Sequence, residues 1–208
     1  MLFRSPAFRT CVSHGIVLGD DGRKASKSLR NYPDPTLMWD TYGSDAVRLS
    51  LMSSPVLRGG NLVVSEESIR EQVRGVLLPL WNTYYFFTLY ANSVGGGSTD
   101  GASGFEARAV APEEAAGLAV MDRYILARTR DLADRVRTDM ESYDVPAAAA
   151  KIREHLDVLT NWYVRTSRNR FWEEDAGAYN TLYTALEVLC RVAAPLAPMV
   201  VEDRKSVV

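Results

Sequence analysis

Residues 22–31 of the chain read GRKASKSLRN and place two lysines, Lys24 and Lys27, three positions apart in a polar segment. The apolar residues 16–18 precede this segment and predict the end of a strand, whereas two prolines within residues 32–35 prevent an immediate helix. The sequence therefore predicts a mobile, doubly charged loop between a strand and a short helix. Ammonium groups on such a loop can bind a polyphosphate and stabilise it as negative charge moves in a transition state.

Two alternatives bear on these lysines. Composition alone favours an ordinary pair of solvated surface lysines, since lysine is among the most exposed residue types. A Walker-type phosphate loop is excluded, because it needs glycine where Asp21 and Ser26 stand, ahead of Lys27 and Ser28. From its residues alone, the loop is a candidate phosphate clamp.

The same loop carries a family signature. Residues 24–28, KASKS, resemble the K-M-S-K-S motif of class I aminoacyl-tRNA synthetases, with Ala25 where the family usually has Met. The resemblance continues through residues 29–31 (LRN), residues 34–35 (DP) and residues 42–48 (YGSDAVR).

A second stretch narrows the resemblance within that family. Residues 159–165, LTNWYVR, followed by SR at residues 167–168 and RFW at residues 170–172, resemble isoleucyl-tRNA synthetases more than the valyl, leucyl or methionyl enzymes. Together the two signatures make the chain similar to isoleucyl-tRNA synthetases over nearly its whole length.

The resemblance implies a two-step ligation. ATP and isoleucine give an enzyme-bound aminoacyl-adenylate and pyrophosphate, and the isoleucyl group then passes to the terminal ribose of its tRNA. The implied catalytic residues are Lys27, the main stabiliser of the triphosphate, and Lys24, which assists it; Ser26 and Ser28 join them in binding ATP. Mg²⁺ would accompany ATP as part of the substrate, with no metal site in this segment. No covalent nucleophile is needed, because positioning and charge stabilisation carry the reaction.

The other half of such an active site is not found in the sequence. His14 and Gly15 do not form an H-I-G-H motif, since the second His is absent and the Gly is misplaced. His14 is interpreted as a structural strand residue, with a place near the active-site wall as the alternative. The resemblance therefore implies an internal fragment, inactive in adenylate formation by itself but able to bind tRNA.

The composition is typical of a soluble globular protein. The 208 residues are 47% hydrophobic and 24% charged, and their net charge of −2 means that RNA binding would need a local basic face. Cys11 and Cys190 lie far apart and predict neither a zinc site nor a disulfide framework, which suits a reducing cytosol. Without a run of 18 apolar residues, a membrane span is not expected. We expect a cytoplasmic monomer.

The predicted fold class is mainly α. Residues 1–60 are interpreted as the end of an α/β nucleotide-binding catalytic domain, with one strand at residues 10–18, the loop and two short helices. Residues 61–202 are predicted to form an anticodon-binding bundle of about four long helices. The polar ending at residues 203–208 departs from the family pattern and is interpreted as a non-native tail.

Helical periodicity predicts an apolar stripe on each bundle helix. The first helix begins at the N-cap Ser65 and should be kinked by Pro79, and its aromatic residues between 81 and 90 are assigned to the core in preference to base stacking. A Gly- and Ser-rich loop over residues 93–104 follows it. The stripes are Ile69, Val73, Val76, Leu80, Tyr84 and Phe87; Leu118, Met121, Ile125, Leu132, Val136 and Met140; Ile152, Leu156, Leu159 and Tyr163; and Tyr179, Leu182, Leu186, Leu189 and Ala193.

Two basic surfaces are candidates for RNA contacts. On the helix after the Gly- and Ser-rich loop, a solvated, salt-bridged face and a phosphate-binding face stay open as alternatives for Arg123, Arg128, Arg130, Arg135 and Arg137. Over residues 161–172, basic and aromatic residues alternate in a way typical of nucleic-acid binding, although cations are also favoured at any helix C-terminus. With the family resemblance, the predicted tRNA contacts are Trp162, Arg165, Arg168 and Arg170.

Other interpretations stay open. Arg48 is expected to be a structural ion-pair partner or a tRNA contact, and His155 a structural or surface residue. The chain could instead be a non-catalytic helical RNA-binding module or part of a valyl-tRNA synthetase. The stretch NWYVR at residues 161–165 favours the isoleucyl family over the valyl one, by resemblance.

Overall fold

The computed structural model describes residues 7–94 and 105–202, and its fold is mainly α, which confirms the predicted class. The strands are β1 (Val17–Leu18) and β2 (Leu62–Val63), and the helices are α1 (Pro35–Tyr42), α2 (Ser44–Met52), α3 (Glu66–Gln72), α4 (Leu78–Ala91), α5 (Val120–Glu141), α6 (Val145–Asp157), α7 (Arg168–Trp172), α8 (Ala176–Ala193) and α9 (Pro198–Glu202). Short 3₁₀ helices span Pro55–Arg58 and Pro112–Gly117. The predicted tail and residues 95–104 of the predicted Gly- and Ser-rich loop lie outside the described residues.

The strand pair is much shorter than the sequence predicted. β1 and β2 run parallel, with Val17 opposite Leu62 and Leu18 opposite Val63. The prediction of a strand over residues 10–18 was wrong in length, because a strand needs a partner for its backbone groups and only the end of this segment has one among the described residues. The residues before β1 are mostly exposed and are not part of a buried sheet.

A long helical rod follows β2 and contains the predicted irregularity. Its N-cap is Ser65, as predicted, with the side chain accepting a hydrogen bond from the backbone of Ser68. Between α3 and α4 the backbone is a π-helix over Val73–Leu77. Pro79 lies two residues after this segment, and its missing N–H and its ring exclude the usual bond to the carbonyl four residues earlier. The chain responds by widening one turn, so the predicted kink takes the form of a π-bulge.

One apolar core joins the bundle helices, and α5 packs along α6 and α8 at its centre. The predicted stripe of α8 is buried throughout, and so is the stripe that begins in α6 and continues past its end to Tyr163. The middle of the α5 stripe is buried as well. Each fully buried Leu or Ile side chain stabilises the fold by about 1.5–3 kcal/mol relative to an exposed one. The core assignment of the α4 aromatics was wrong for Trp81 and Tyr85, which are exposed, because they lie on the face opposite Leu80 and Phe87.

The N-terminal segment is attached to the bundle through α2. Asp45, which is buried, accepts a hydrogen bond of 2.7 Å from the backbone N–H of Val200 in α9. One turn along α2, Arg48 donates a bond of 2.9 Å to the carbonyl of Pro195. Arg48 therefore has a structural contact, made to a backbone carbonyl. These bonds hold the end of the bundle against α2, the second helix after the lysine loop.

A second attachment lies at the start of α6. Two nitrogens of the Arg58 guanidinium, Nε and Nη2, each donate a bond of 2.8 Å to the carboxylate of Asp144. The same carboxylate caps α6 by accepting from the backbone of Ala147. The side chain of Asp144 thus caps the start of α6 and also binds Arg58, which lies in the connection that leads into β2.

His155 is a buried structural residue of α6, only 3% exposed. Its Nε2 lies 3.2 Å from the hydroxyl of Thr129, and that hydroxyl donates its own proton to the carbonyl of Ile125. The imidazole is therefore the donor to Thr129. Burial, followed by the nearby Arg128, lowers the pKa of His155 from 6.5 to about 4, against an opposing effect of Glu154.

The fold should lose stability in mildly acidic solution because of this histidine. Between pH 6.5 and about 4 the unfolded chain binds a proton at His155 that the folded chain does not bind, so the free energy of unfolding falls as the pH falls. The measurement is urea unfolding at pH 7, 6, 5 and 4 for the wild type and for H155Q. The wild type should lose more stability over this range than H155Q, which has no imidazole. Equal losses in the two proteins would contradict the prediction.

Candidate functional site

The lysine loop folds back onto β1. The backbone of Ala25 donates a bond of 2.9 Å to the carbonyl of Val17, and Leu18 and Lys24 form an antiparallel bridge. A tight turn closes this return, with Gly22 at a positive φ of 73° that glycine adopts at no steric cost. The loop predicted between a strand and a short helix is therefore present, and its backbone is hydrogen-bonded to the strand.

Asn31 fastens the far end of the loop. Its side-chain oxygen accepts a bond of 3.0 Å from the backbone of Ser26, and its amide nitrogen donates one of 2.8 Å to Asp21. Its backbone carbonyl accepts a bond of 2.9 Å from Asp20. The bond from Asn31, followed by the backbone N–H of Arg23, lowers the pKa of the Asp21 carboxyl, which keeps this acceptor ionised.

Gly19 permits this closure. A Cβ atom on residue 19 would lie 1.9 Å from the carbonyl oxygen of Asn31, which no side chain could occupy. The backbone of Gly19 also accepts a bond of 2.9 Å from Gly22 and donates one of 2.8 Å to Arg23. The loop thus depends on a glycine where strand and loop end meet.

The lysine side chains of the loop are exposed to solvent on this frame. Lys24 and Lys27 are exposed, and neither forms an ion pair with any residue in the described part of the chain. The hydroxyls of Ser26 and Ser28 lie 2.8 Å apart. Two unpaired ammonium groups and two hydroxyls therefore surround one small stretch of backbone, which is the donor set that a polyphosphate requires. His14 is exposed ahead of β1, with Nδ1 2.7 Å from the carbonyl of Gly15.

A second candidate surface lies at the end of the third bundle helix. After α6 the backbone continues as a π-helix over Val158–Val164 and then as α7. Trp162 packs edge-on against Tyr124 of α5, with ring centroids 4.9 Å apart. Arg165 and Arg168 are exposed, and the guanidinium of Arg168 lies 5.3 Å from the ring centroid of Trp172. This surface combines exposed cations with partly exposed aromatic rings.

Arg170 is placed differently from its neighbours. Its guanidinium forms a bidentate ion pair with Asp122, with both N–O distances 2.7 Å, and its Nε bonds Asp175 at 2.7 Å. Asp122 is 1% exposed and also accepts a bond of 2.7 Å from the hydroxyl of Tyr163. The ion pair with Asp122, foremost, raises the pKa of Arg170. The sequence predicts Arg170 as a tRNA contact and has no sign of this network, whose members lie on different helices.

The arginine face of α5 is only partly salt-bridged. Arg128 pairs with Glu154 at 3.3 Å, and Arg135 pairs with Asp131 at 3.4 Å. The other members form no ion pair with the residues described here; they are Arg123, Arg130 and Arg137. Neither alternative for this face is therefore excluded.

Two further observations concern the described ranges as a whole. In residues 7–94 and 105–202, no three His, Cys, Asp or Glu side chains come together to hold a metal ion. Over the same ranges, no helix combines the length and apolar character that crossing a membrane requires.

The residues that hold each candidate site in position are not evident from the sequence. Asn31 was quoted only within the family pattern, although an Asn beside a turn is a common side-chain partner of backbone groups. Trp172 lies within the basic and aromatic stretch noted at residues 161–172, whereas Tyr124, which also adjoins the basic surface, lies on another helix and has no signal in the sequence. Asp122 lies in the first turn of α5, where the sequence alone suggests only a favourable interaction with the helix dipole. Its pairing with Arg170, far along the chain, cannot be predicted from that position.

Two protein-family descriptions match the chain. One, "tRNA synthetases class I (I, L, M and V)", covers residues 1–63, which contain the lysine loop. The other, "Anticodon-binding domain of tRNA ligase", covers residues 122–204, which contain the second surface.

Several close relatives carry one name. The chain is 58% identical to an isoleucine--tRNA ligase of Leifsonia xyli and 55% identical to those of Bifidobacterium longum and Mycobacterium tuberculosis, in each case over 97% of the chain. It spans only 17 or 18% of the length of these relatives.

Solved structures share the fold at low identity. A LeuRS of Agrobacterium radiobacter K84, in a ternary complex with tRNA and LeuAMS, superposes with a TM-score of 0.70 at 22% identity, over 93% of this chain and 22% of that one. A methionyl-tRNA synthetase of Mycobacterium tuberculosis with methionyl-adenylate gives 0.67 at 22% identity, over 91% and 36%. From its two matched regions and its relatives, the chain belongs to the class I aminoacyl-tRNA synthetase family, where its counterparts are isoleucine--tRNA ligases.

Proposed function

We propose that the chain is the part of an isoleucine--tRNA ligase that combines the phosphate-binding loop of the catalytic domain with the anticodon-binding bundle. The observation that carries this proposal is the loop itself, in which Lys24 and Lys27 project unpaired from a hydrogen-bonded frame. The identity of 55–58% to isoleucine--tRNA ligases supports the choice of amino acid. We place the division between the two parts near residue 60, in the connection before β2.

In the first step, the carboxylate of isoleucine attacks the α-phosphorus of ATP, forms the mixed anhydride and displaces pyrophosphate. Charge moves onto the leaving pyrophosphate, and ammonium groups nearby stabilise it more strongly than the ground state. Lys27 is the main stabiliser in this proposal and Lys24 the second. Ser26 and Ser28 add hydroxyl donors to the phosphates. In the second step, a ribose hydroxyl of the tRNA attacks the anhydride carbonyl and displaces AMP.

The frame matters to this chemistry because the lysine side chains are long and flexible. Each lysine side chain loses conformational entropy when it binds a phosphate. Because Asn31 and Gly19 already hold the loop backbone in place, only the side chains must become ordered on binding. Mg²⁺ enters with ATP as part of the substrate, bound by phosphate oxygens and water. Cys11 and Cys190 form no disulfide within the part of the chain that the structure describes, which is consistent with the reducing cytoplasm that we propose as the location.

The second surface is proposed to contact the isoleucine-accepting tRNA. Arg165 and Arg168 have unpaired guanidinium groups suited to phosphates, and Trp162 with its neighbours Tyr124 and Trp172 offers aromatic faces to unstacked bases. The unpaired arginines of α5 could extend the phosphate contacts. A non-catalytic RNA-binding module is the second candidate function, and the unpaired basic residues of this surface support it equally.

The K27A substitution in the full-length gene product should separate the two functions. Loss of the main stabilising cation should lower isoleucine-dependent pyrophosphate exchange about 10²-fold, a typical effect of removing one transition-state charge contact. The matched control is R191A, which removes an exposed cation from α8 and should leave the exchange rate unchanged. A wild-type gene product without exchange activity, or K27A with full activity, would favour the non-catalytic module.

The N31A substitution tests the frame of the same loop. Without the Asn31 amide, the backbone of Ser26 and the carboxylate of Asp21 lose their shared partner, so the lysines are held less firmly. We expect pyrophosphate exchange to fall about tenfold, equivalent to about 1.4 kcal/mol of transition-state stabilisation. Transfer from preformed isoleucyl-adenylate to tRNA should not change. The control is N82A, on the exposed face of α4, and an equal loss in N82A would refute the role of Asn31.

A further inference from the structure

We infer that Arg170 does not contact RNA but is a positioning residue, which acts with Asp122 and Tyr163 to hold the helix end that presents Arg165 and Arg168 to tRNA. This inference rests on the proposed tRNA binding of the same surface. It gives Arg170 a role different from that of Arg168, two positions earlier in the sequence.

Each of the three guanidinium nitrogens of Arg170 already bonds a carboxylate. Its two terminal nitrogens each bond one oxygen of Asp122 at 2.7 Å, and its Nε bonds Asp175 at 2.7 Å. All three nitrogens therefore face carboxylates, in the planar fork geometry that makes arginine specific for such partners. A phosphate that drew Arg170 out of this pair would leave a carboxylate that is 1% exposed without its cation, which is costly.

The partner on α5 is itself fixed in place. The hydroxyl of Tyr163 donates a bond of 2.7 Å to Asp122, and Tyr163 is completely buried. Burial, followed by the charge of Asp122, raises the pKa of Tyr163, so the hydroxyl keeps its proton and continues to donate. Asp122 thus joins the start of α5 to the π-helical segment and to α7, across sequence separations of 41 and 48 residues.

The other carboxylate continues the network into α8. Asp175 caps this helix by accepting bonds from the backbones of Gly177 at 2.8 Å and Ala178 at 3.3 Å. The turn that precedes it contains Glu174 at a positive φ of 58°, and the hydroxyl of Tyr179 bonds the carbonyl of Phe171 at 2.7 Å. The sharp connection between α7 and α8 is therefore held from both sides, with Arg170 at its centre.

The cations that remain free lie on the outside of this connection. Arg165 and Arg168 are exposed and have no ion-pair partner among the described residues, and Arg168 is held only by the face of Trp172. If the connection moves, these two guanidinium groups move with it. The network of Arg170, Asp122 and Tyr163 thus holds this surface in place, while the positive charge of Arg170 is used within the network.

The D122N substitution distinguishes a positioning role from a contact role by the sign of its effect. It removes a negative charge and releases Arg170, so tRNA should bind more tightly if Arg170 were simply a cation awaiting a phosphate. If Arg170 positions the surface, D122N should weaken binding about tenfold. R170K adds a second test, because lysine keeps the charge but cannot form the bidentate pair. It should bind tRNA about as well as wild type under the contact role and as weakly as D122N under the positioning role.

The experiment measures the binding of the 208-residue chain to an isoleucine tRNA transcript by fluorescence anisotropy, at one salt concentration and with folding checked by circular dichroism. The matched control is D131N, which removes an exposed aspartate from α5 and releases Arg135; it should bind equally well or up to about twofold more tightly. Y163F changes no charge but removes the hydroxyl that bonds Asp122, and it should weaken binding about threefold. If D122N does not fold, Y163F replaces it as the test variant.

The outcomes separate the inference from the proposed function. A wild-type chain that fails to bind tRNA overturns both. A wild-type chain that binds, with D122N or R170K binding as tightly or more tightly, overturns the positioning role alone, as does unchanged binding by Y163F when D122N is unfolded. Weakened binding in D122N and R170K, with D131N unaffected, supports it.

Discussion

The bundle depends on the placement of one buried charge, the carboxylate of Asp122. An isolated carboxylate in an apolar core costs several kcal/mol, so the helices must bring a cation and a hydroxyl to it. Arg170 and Tyr163 supply these groups from a distant part of the chain, and both can reach Asp122 only when α5, α7 and the π-helical segment have their observed arrangement. Apolar burial drives these helices together, and the charged network selects the arrangement in which they pack.

The same division of roles is found at both candidate sites. In the loop, the neutral amide of Asn31 and the close approach at Gly19 hold the backbone, while Lys24 and Lys27 remain unpaired. At the end of the third bundle helix, a network of satisfied side chains holds the backbone, while exposed arginines remain unpaired. In each case, groups whose hydrogen bonds are satisfied within the protein place exposed cations that have no ion-pair partner among the described residues.

The two sites are parts of one framework because α2 connects them. Asp45 and Arg48 bond the chain around α9, at the end of the bundle, and α2 follows closely after the lysine loop. Asp45 is buried and makes its bond to a backbone N–H, an arrangement that fixes direction as well as distance. A displacement of the bundle end would therefore be transmitted to α2 through defined hydrogen bonds.

The sequence by itself determined the helices, their apolar stripes, the loop and the family, because periodicity and motifs are properties of neighbouring residues. It failed where the outcome depended on residues far away. The strand at residues 10–18 was too long because pairing needs a partner, and Trp81 and Tyr85 are exposed because of where other helices lie. Only the tertiary structure decided that Arg170 is paired and Arg168 is free, since the buried carboxylate that makes the difference lies 48 residues earlier in the chain.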